Sequence, residues 1–278
     1  MAMTDEWGND ATRRAKSQLI DTTVPNVARV YDYLNGGKDN FDVDRKTARA
    51  MAGTAPVLVP ATLVPAVRAF RHRVLRFLVA EAGVRQFLDI GIGLPLAGNT
   101  HEVTQSIVPE CRVAYVDNDP MVLSHARALM TSAPGGAIGF VDADVRESGA
   151  ITAGAQATLD LSQPVAVLLL STLAFVENST EAAAVVSTLA AAVPSDSYVA
   201  IWHLASDLDQ TLEGAIRRWN ATAAQRITLR SRSEIADLVA GLELVPPGLV
   251  PVMDWRPAPD DPRFENPTPV YGLVARRL

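Results

Sequence analysis

Apolar and polar positions along this chain change period partway through. Between about residues 23 and 82 the apolar side chains recur three or four positions apart. Val24, Val27, Tyr31 and Leu34 form one stripe, and Val67, Phe70, Val74, Phe77 and Leu78 another. That spacing predicts helices over about 24–34, 42–51 and 65–82. Thr23 is placed to cap the first, Asn35-Gly36-Gly37 stops it, and Gly83 ends the third, because these residues tolerate the left-handed turn of a helix end. Residues 53–60 read as a loop. From residue 86 onward, short apolar runs alternate with helical periods. Strands are expected near 86–90, 112–117, 137–141, 164–171 and 197–204, and helices near 99–108, 120–131, 145–155, 180–193, 207–224 and 233–240. Such alternation builds a parallel sheet covered on both faces. The end of the chain breaks the pattern: LELVPPGLVPV and VYGLVARRL read as two strands with no helix between them, so they must be antiparallel.

Composition narrows this α/β outline. The 278 residues are 48% hydrophobic and 20% charged, the proportions of a globular protein with one full core. The net charge of −6, from 25 basic and 31 acidic side chains, gives no bulk attraction to nucleic acid. Apolar runs such as Val165–Leu170 are too short to cross a bilayer. The opening MAMTDEWGND has no export pattern, and with a single cysteine, Cys111, an internal disulfide is excluded. A cytoplasmic protein with a small-molecule partner, no nucleic acid and no membrane is expected; oligomeric state is left open. Residues 1–20 are polar and read as mobile, 21–60 as a helical cap or lid, and 61–278 as the main domain. Arg68, Arg71, Arg73 and Arg76 fall mostly opposite an apolar stripe and read as a solvated face.

The chemistry concentrates in QFLDIGIGLPLAG. An apolar strand ends in Asp89, Gly91 and Gly93 form a tight turn, and Asn99 with Glu102 make a capping box for the next helix. Free N–H groups at that helix start suit a carboxylate or phosphate. The second strand ends in Asp117, placed to accept from both hydroxyls of a ribose. Asp89 stands two residues before the first glycine, where it would oppose a pyrophosphate but accept from an amino-acid ammonium. The glycine spacing also departs from the dinucleotide fingerprint. Both details favour S-adenosylmethionine over NAD. In VDADV, Asp144 with the Val145 amide is the candidate adenine contact, ahead of Asp142. Ser171 and Thr172, leaving the fourth strand, serve either a turn or a ligand. His203 is the candidate base, against a structural histidine in the core. YDYLNGGKDNF is the lid candidate, with Tyr33 and Asn40 as ligand contacts and Tyr31 in the apolar stripe. No metal-ligand spacing, nucleophile elbow or P-loop occurs.

Four segments, VARVYDYLNGGKDNFDVDR, LDIGIGLPLAGNTHEV, VAYVDNDPMVLSHARAL and SRSEIADLVAGLELVPPGLVPVMDWRP, resemble one family. It is the uncharacterised SAM-dependent methyltransferase family of high-GC bacteria once classed as a domain of unknown function. The resemblance spans about residues 20–278. It implies a class I methyltransferase fold, Rossmann-like and mostly parallel with a C-terminal antiparallel hairpin, plus an N-terminal helical cap. By motif position it implies cofactor contacts at Asp89, Gly91, Gly93, Asp117 and Asn118. The chain departs from the family at Ile92 and Leu96, where threonine is usual, and at Ala174, where histidine is common. A methyltransferase acting on a small molecule is the leading expectation. Those departures motivate the alternative of a non-catalytic SAM-binding regulator or sensor. An NAD-dependent oxidoreductase is disfavoured by Asp89 and the terminal hairpin.

Overall fold

The run Gln86–Ile90 is buried at all five positions, which requires neighbours on both edges and cover on both faces. This strand, β1, lies within an eight-stranded sheet. β2 (Arg112–Asp117) and β3 (Ala137–Asp142) add in parallel on one side, β4 (Val165–Leu170) and β5 (Tyr198–Leu204) on the other. This computed structural model describes residues 20–58, 62–259, 261 and 268–278; the expected mobility of residues 1–19 falls outside them. The chain winds outward from β1 to β3 and then crosses back to β4, so the topological switch lies between β1 and β4. In open parallel sheets, ligands bind beyond the strand carboxyl ends at that switch.

β8 (Val270–Arg276) runs antiparallel to β5 and is paired on its other edge by β6 (Glu243–Leu244) and β7 (Val250–Pro251). The antiparallel closure matches the sequence reading. The single strand expected from LELVPPGLVPV is instead two short pieces. Pro246 and Pro247 have no N–H to give a ladder, and Gly248 turns the chain at φ +85°.

Helices fill the expected intervals: α1 (Val27–Leu34), α2 (Asp42–Thr54), α3 (Leu63–Ala80), α4 (Thr100–Ile107), α5 (Pro120–Leu129), α6 (Ser148–Ala155), α7 (Ser179–Ala191), α8 (Gln210–Asn220) and α9 (Arg232–Asp237). The starts needed correction. Asn26, not Thr23, caps α1 by accepting from the Arg29 N–H. Val24 precedes Pro25, and a residue before proline is pushed out of the helical region. α2 runs through Gly53 to Thr54, and α3 starts at Leu63 with Pro65 at its third position, where an N–H has no helical partner anyway.

Alternation along the strands divides the core into two layers. Leu88, Ile90, Val167 and Ile201 pack with Ile151 of α6 and Val186 of α7. Phe87, Tyr115, Leu168 and Trp202 pack with Phe70 and Val74 of α3. α1 and α2 join this second layer. They are tied by a buried ion pair, Arg29 to Asp44 at 2.9 Å, and the same guanidinium donates to the Asp21 and Val24 carbonyls. α2 lies along α8. Among the described residues, no helix is long and apolar enough to cross a membrane.

Candidate active site

A cleft of about 190 Å³ opens at the carboxyl ends of β1, β2 and β4, roofed by α1 and α3. Its floor is the β1 turn. Gly91 has φ +77° and donates its N–H to the Val116 carbonyl. A Cβ there would meet Thr172 Oγ1 at 2.3 Å, and that hydroxyl is held by the Ile90 carbonyl. Gly93 has φ +65°, but a Cβ there would point into open space. The two glycines should therefore respond differently to alanine. Gly93→Ala should cost only the left-handed conformation, roughly 1–2 kcal/mol. Gly91→Ala adds a clash with the Thr172 side chain, held in place by the Ile90 carbonyl, worth roughly 1–3 kcal/mol more. Equal urea midpoints for the two variants would contradict this account of the turn.

Charges converge above the turn. Asp89, buried at the end of β1, accepts from Thr100 Oγ1 at 2.6 Å. Thr100 in turn accepts from an Arg71 guanidinium N–H at 3.0 Å. Arg71 Nε is buried and has no hydrogen-bond partner. Burial raises the Asp89 pKa, while the Arg71 charge and the Thr100 hydrogen bond pull it back. Asp117 accepts from the N–H of Gly93 at 3.2 Å and of Asp119 at 3.0 Å. Burial outweighs these bonds and pushes its pKa up to about 6. Asn26 of α1 donates to Asp119 at 2.8 Å, fastening the roof to the rim. Ser171 leaves β4 at φ +78°, a conformation unfavourable for a residue with a Cβ.

Behind the cleft lies a second cavity of about 90 Å³ under α1 and α2. Val27, Tyr31, Ser171, Phe175 and Trp202 line both spaces and form the neck between them.

Of the residues expected from sequence, Asp89, Gly91, Gly93, Asp117 and Ser171 line this one cleft. Ile92 lines it too, and Ala174 lines the second cavity, whereas Leu96 lines neither. Asn118, Asp144 and Val145 are not brought in. The Asp144 carboxylate is taken by the Arg146 guanidinium at 2.8 and 2.9 Å and by Asn118; Val145, whose amide was the expected contact, packs with Leu88 and Ile90 and does not line the cleft. Tyr33 and Asn40 also point elsewhere. The Tyr33 hydroxyl accepts from Arg49 on α2, and Asn40 donates to buried Asp32 and the Gly37 carbonyl. The helical period instead puts Tyr31, one turn from Val27, on the cleft.

His203 does not reach the cleft. It is fully buried, with Nδ1 on the Leu204 carbonyl and Nε2 accepting from the Arg230 guanidinium at 2.8 Å. Burial lowers its pKa to about 4. It is a neutral structural histidine. Three amides around the start of α4 are also committed: Gly98 and Asn99 donate to Glu102, and His101 donates to the Tyr115 hydroxyl. The arginines of α3 are not one solvated face. Only Arg76 is exposed. Arg73 is buried against Asp261 and the Val252 and Trp255 carbonyls, and Arg68 and Arg71 line the cleft. Sequence reasoning missed Arg71, although a signal was present. It stands four residues after Val67 and three before Val74, on the apolar stripe itself.

A family profile described as S-adenosyl methyltransferase matches residues 13–278. The crystal structure of a duf574 family protein from Streptomyces avermitilis is 38% identical, with 94% of this chain and 100% of that chain covered and a TM-score of 0.87. That of a candidate methyltransferase from Thermobifida fusca is 35% identical, with coverages of 92% and 96% and a TM-score of 0.82. No curated protein matches the chain.

Proposed function

The chain belongs to the S-adenosyl methyltransferase family, and from that premise we propose that the switch-point cleft holds S-adenosylmethionine for methyl transfer to a small molecule. The fold is the class I methyltransferase fold, and S-adenosylmethionine is the cofactor of the family. When bound, it supplies a methyl group on a positively charged sulfur.

The observation that carries the reading is the pairing of Arg71 with Asp89 on one wall. A cation with an unpartnered buried Nε beside a buried carboxylate is complementary to an amino-acid zwitterion. Arg71 would take the carboxylate and Asp89 the ammonium. With the Gly98, Asn99 and His101 amides already committed, Arg71 replaces the helix start as the carboxylate partner. Asp117 would accept from the ribose hydroxyls, and Gly93, which has open space where a side chain would stand, lets the ligand approach the backbone. Asp144 is not carried into this set, because its carboxylate is engaged by Arg146. α1 contributes Asn26, Val27 and Tyr31 to the roof, which sheds water from the reacting end. Alignment of this kind supplies much of the acceleration that methyl transfer needs. Neither the non-catalytic nor the nicotinamide alternative gains a supporting observation.

Asp117 gives a direct test. Hydroxyl donors need its ionised form, and its pKa is pushed up to about 6 by burial. Affinity for S-adenosylmethionine, measured by calorimetry, should therefore fall as pH drops through about 6, by about tenfold from pH 7 to pH 5. Asp117→Asn should bind weakly and lose most of this dependence. A wild-type affinity flat across that range, or an unaffected Asp117→Asn, would remove Asp117 from the site.

A further inference from the structure

The cavity behind the neck has a different chemistry from the cleft. Its described walls come from α1, α2, Leu58, the start of α3 at Leu63, α8, Ile227, the turn after β4 and β5, and include Ala48, Met51, Ala174, Ile216 and Trp219. Among the described residues lining it there is no Asp, Glu, His, Lys, Arg or Cys. The Trp219 indole N–H is already given to the Gln225 carbonyl. The neck carries only two hydroxyl groups, those of Tyr31 and Ser171. Burial raises the Tyr31 pKa, with Arg71 only partly offsetting it, so the phenol stays protonated. His203, the nearest imidazole on β5, faces the opposite core layer and is spent on Arg230.

We propose that this cavity is the acceptor site, and that it takes a neutral, single-ring apolar molecule presenting a nitrogen nucleophile at the neck. The proposal rests on the methyltransferase reading, because that reading makes the neck the junction of donor and acceptor. Size sets the ring count. An enclosed apolar cavity of roughly 150 Å³ takes up benzene; the 90 Å³ here is smaller, so it holds at most one ring whose reacting end reaches through the neck into the cleft, and it excludes a fused pair. Wall polarity sets the charge. A carboxylate or a fixed cation would be stripped of water with no partner to replace it. The walls also set the nucleophile. A phenol or alcohol needs a base to become reactive, and desolvation opposes its ionisation. The same desolvation favours a neutral amine, whose lone pair is already free. In the transfer, the nitrogen lone pair forms the bond to the methyl carbon, and the carbon–sulfur pair stays on sulfur. The proton then carried by nitrogen leaves to water at the cleft mouth.

The test uses the full chain, with p-toluidine, p-cresol and p-toluate as probes of one shape and differing charge and nucleophile. Binding is read by calorimetry and by quenching of Trp202 and Trp219. p-Toluidine should bind at least tenfold more tightly than p-toluate, and labelled S-adenosylmethionine should methylate it in preference to p-cresol. Ala48→Leu, which fills the cavity, should abolish toluidine binding while leaving affinity for S-adenosylmethionine intact. Met51→Ala, which widens it, should admit 2-naphthylamine, which the unmodified protein excludes. Equal or tighter binding of p-toluate, or toluidine binding in Ala48→Leu as strong as in the parent, overturns the acceptor site. If Ala48→Leu does not fold, the naphthylamine result on Met51→Ala decides in its place. Label entering p-cresol but not p-toluidine, or neither while toluidine binds, overturns the nitrogen assignment. Absence of S-adenosylmethionine binding by the parent protein would fail the methyltransferase reading itself, a separate outcome.

Discussion

Arg71→Met should weaken S-adenosylmethionine binding by about 2–4 kcal/mol, roughly 30- to 900-fold, while leaving 5′-methylthioadenosine almost unaffected. The first ligand carries the amino-acid end that Arg71 faces and the second lacks it. Truncating one member of a partly buried, hydrogen-bonded charge pair typically costs about 2–5 kcal/mol, mostly by stranding the other charge. The loss has a second component. Arg71 holds Thr100, which donates to Asp89, and its charge offsets part of the burial that raises the Asp89 pKa. Without Arg71, Asp89 is more readily protonated and grips an ammonium less well. Methionine removes the charge while keeping apolar bulk against Val67, so the helix should keep its packing. Calorimetry with the two ligands on parent and variant separates the charge contact from any general damage to the cleft. Equal losses for both ligands would mean that Arg71 shapes the cleft without touching the amino-acid end.

Arg230→Met should strongly destabilise the carboxyl ends of β4 and β5, by about 2–4 kcal/mol. The guanidinium is fully buried and donates to the Leu173 and Val176 carbonyls at 2.8 and 2.6 Å, to Ser179 Oγ at 3.2 Å and to His203 Nε2. Each buried acceptor left unmade costs about 1–3 kcal/mol, partly offset because a buried charge has been removed. For a chain of this length, that lowers the thermal midpoint by roughly 3–7 °C. His203→Gln keeps an acceptor for Arg230, so it should be far milder. It should also leave methyl transfer in place, whereas loss of a general base would cost about 10²–10⁴-fold in rate. A large rate loss in His203→Gln without a stability loss would restore the histidine as a base.

The same residues fix how stability depends on pH. The His203 pKa is depressed to about 4, so its contribution is complete above the ordinary imidazole range and is lost as pH falls toward that value. Asp117 acts in the opposite sense. Its raised pKa means the ionised form costs the fold roughly 2–3 kcal/mol, a cost incurred as pH rises from the ordinary carboxylate range through about 6. A carboxylate kept buried against its own solvation fits a ligand-binding role better than a structural one.

Legibility differed between backbone and side chains. Asp89, Gly91, Gly93 and Asp117 could be placed because they sit at strand ends, and a strand end is fixed by where an apolar run stops. Tyr33 and Asn40 read as ligand contacts in the sequence, yet Arg49 of α2 reaches the Tyr33 hydroxyl and the loop after α1 folds Asn40 back on Asp32; a string of polar letters does not reveal which of them satisfy one another. Asp144 reads as free in the sequence, but Arg146 and Asn118 surround it. The base suggested at His203 failed for a simpler reason: alternation along β5 puts Trp202 on the cleft side and His203 on the other.

By itself, then, the order of apolar runs and glycines determined a parallel sheet with an antiparallel end, a turn after β1 fit for a nucleoside-bearing cofactor, and the acids at its rim. Those features depend on neighbours within a few residues, which a linear pattern records. Only the tertiary structure decided which charges are spent and which are available. Arg73 meets Asp261, 188 positions away, and Arg230 meets Leu173, 57 positions away. Arg71 meets nothing through its Nε. The three arginines have the same side chain. What separates them is whether distant carbonyls and carboxylates arrive to replace the water each one loses on burial.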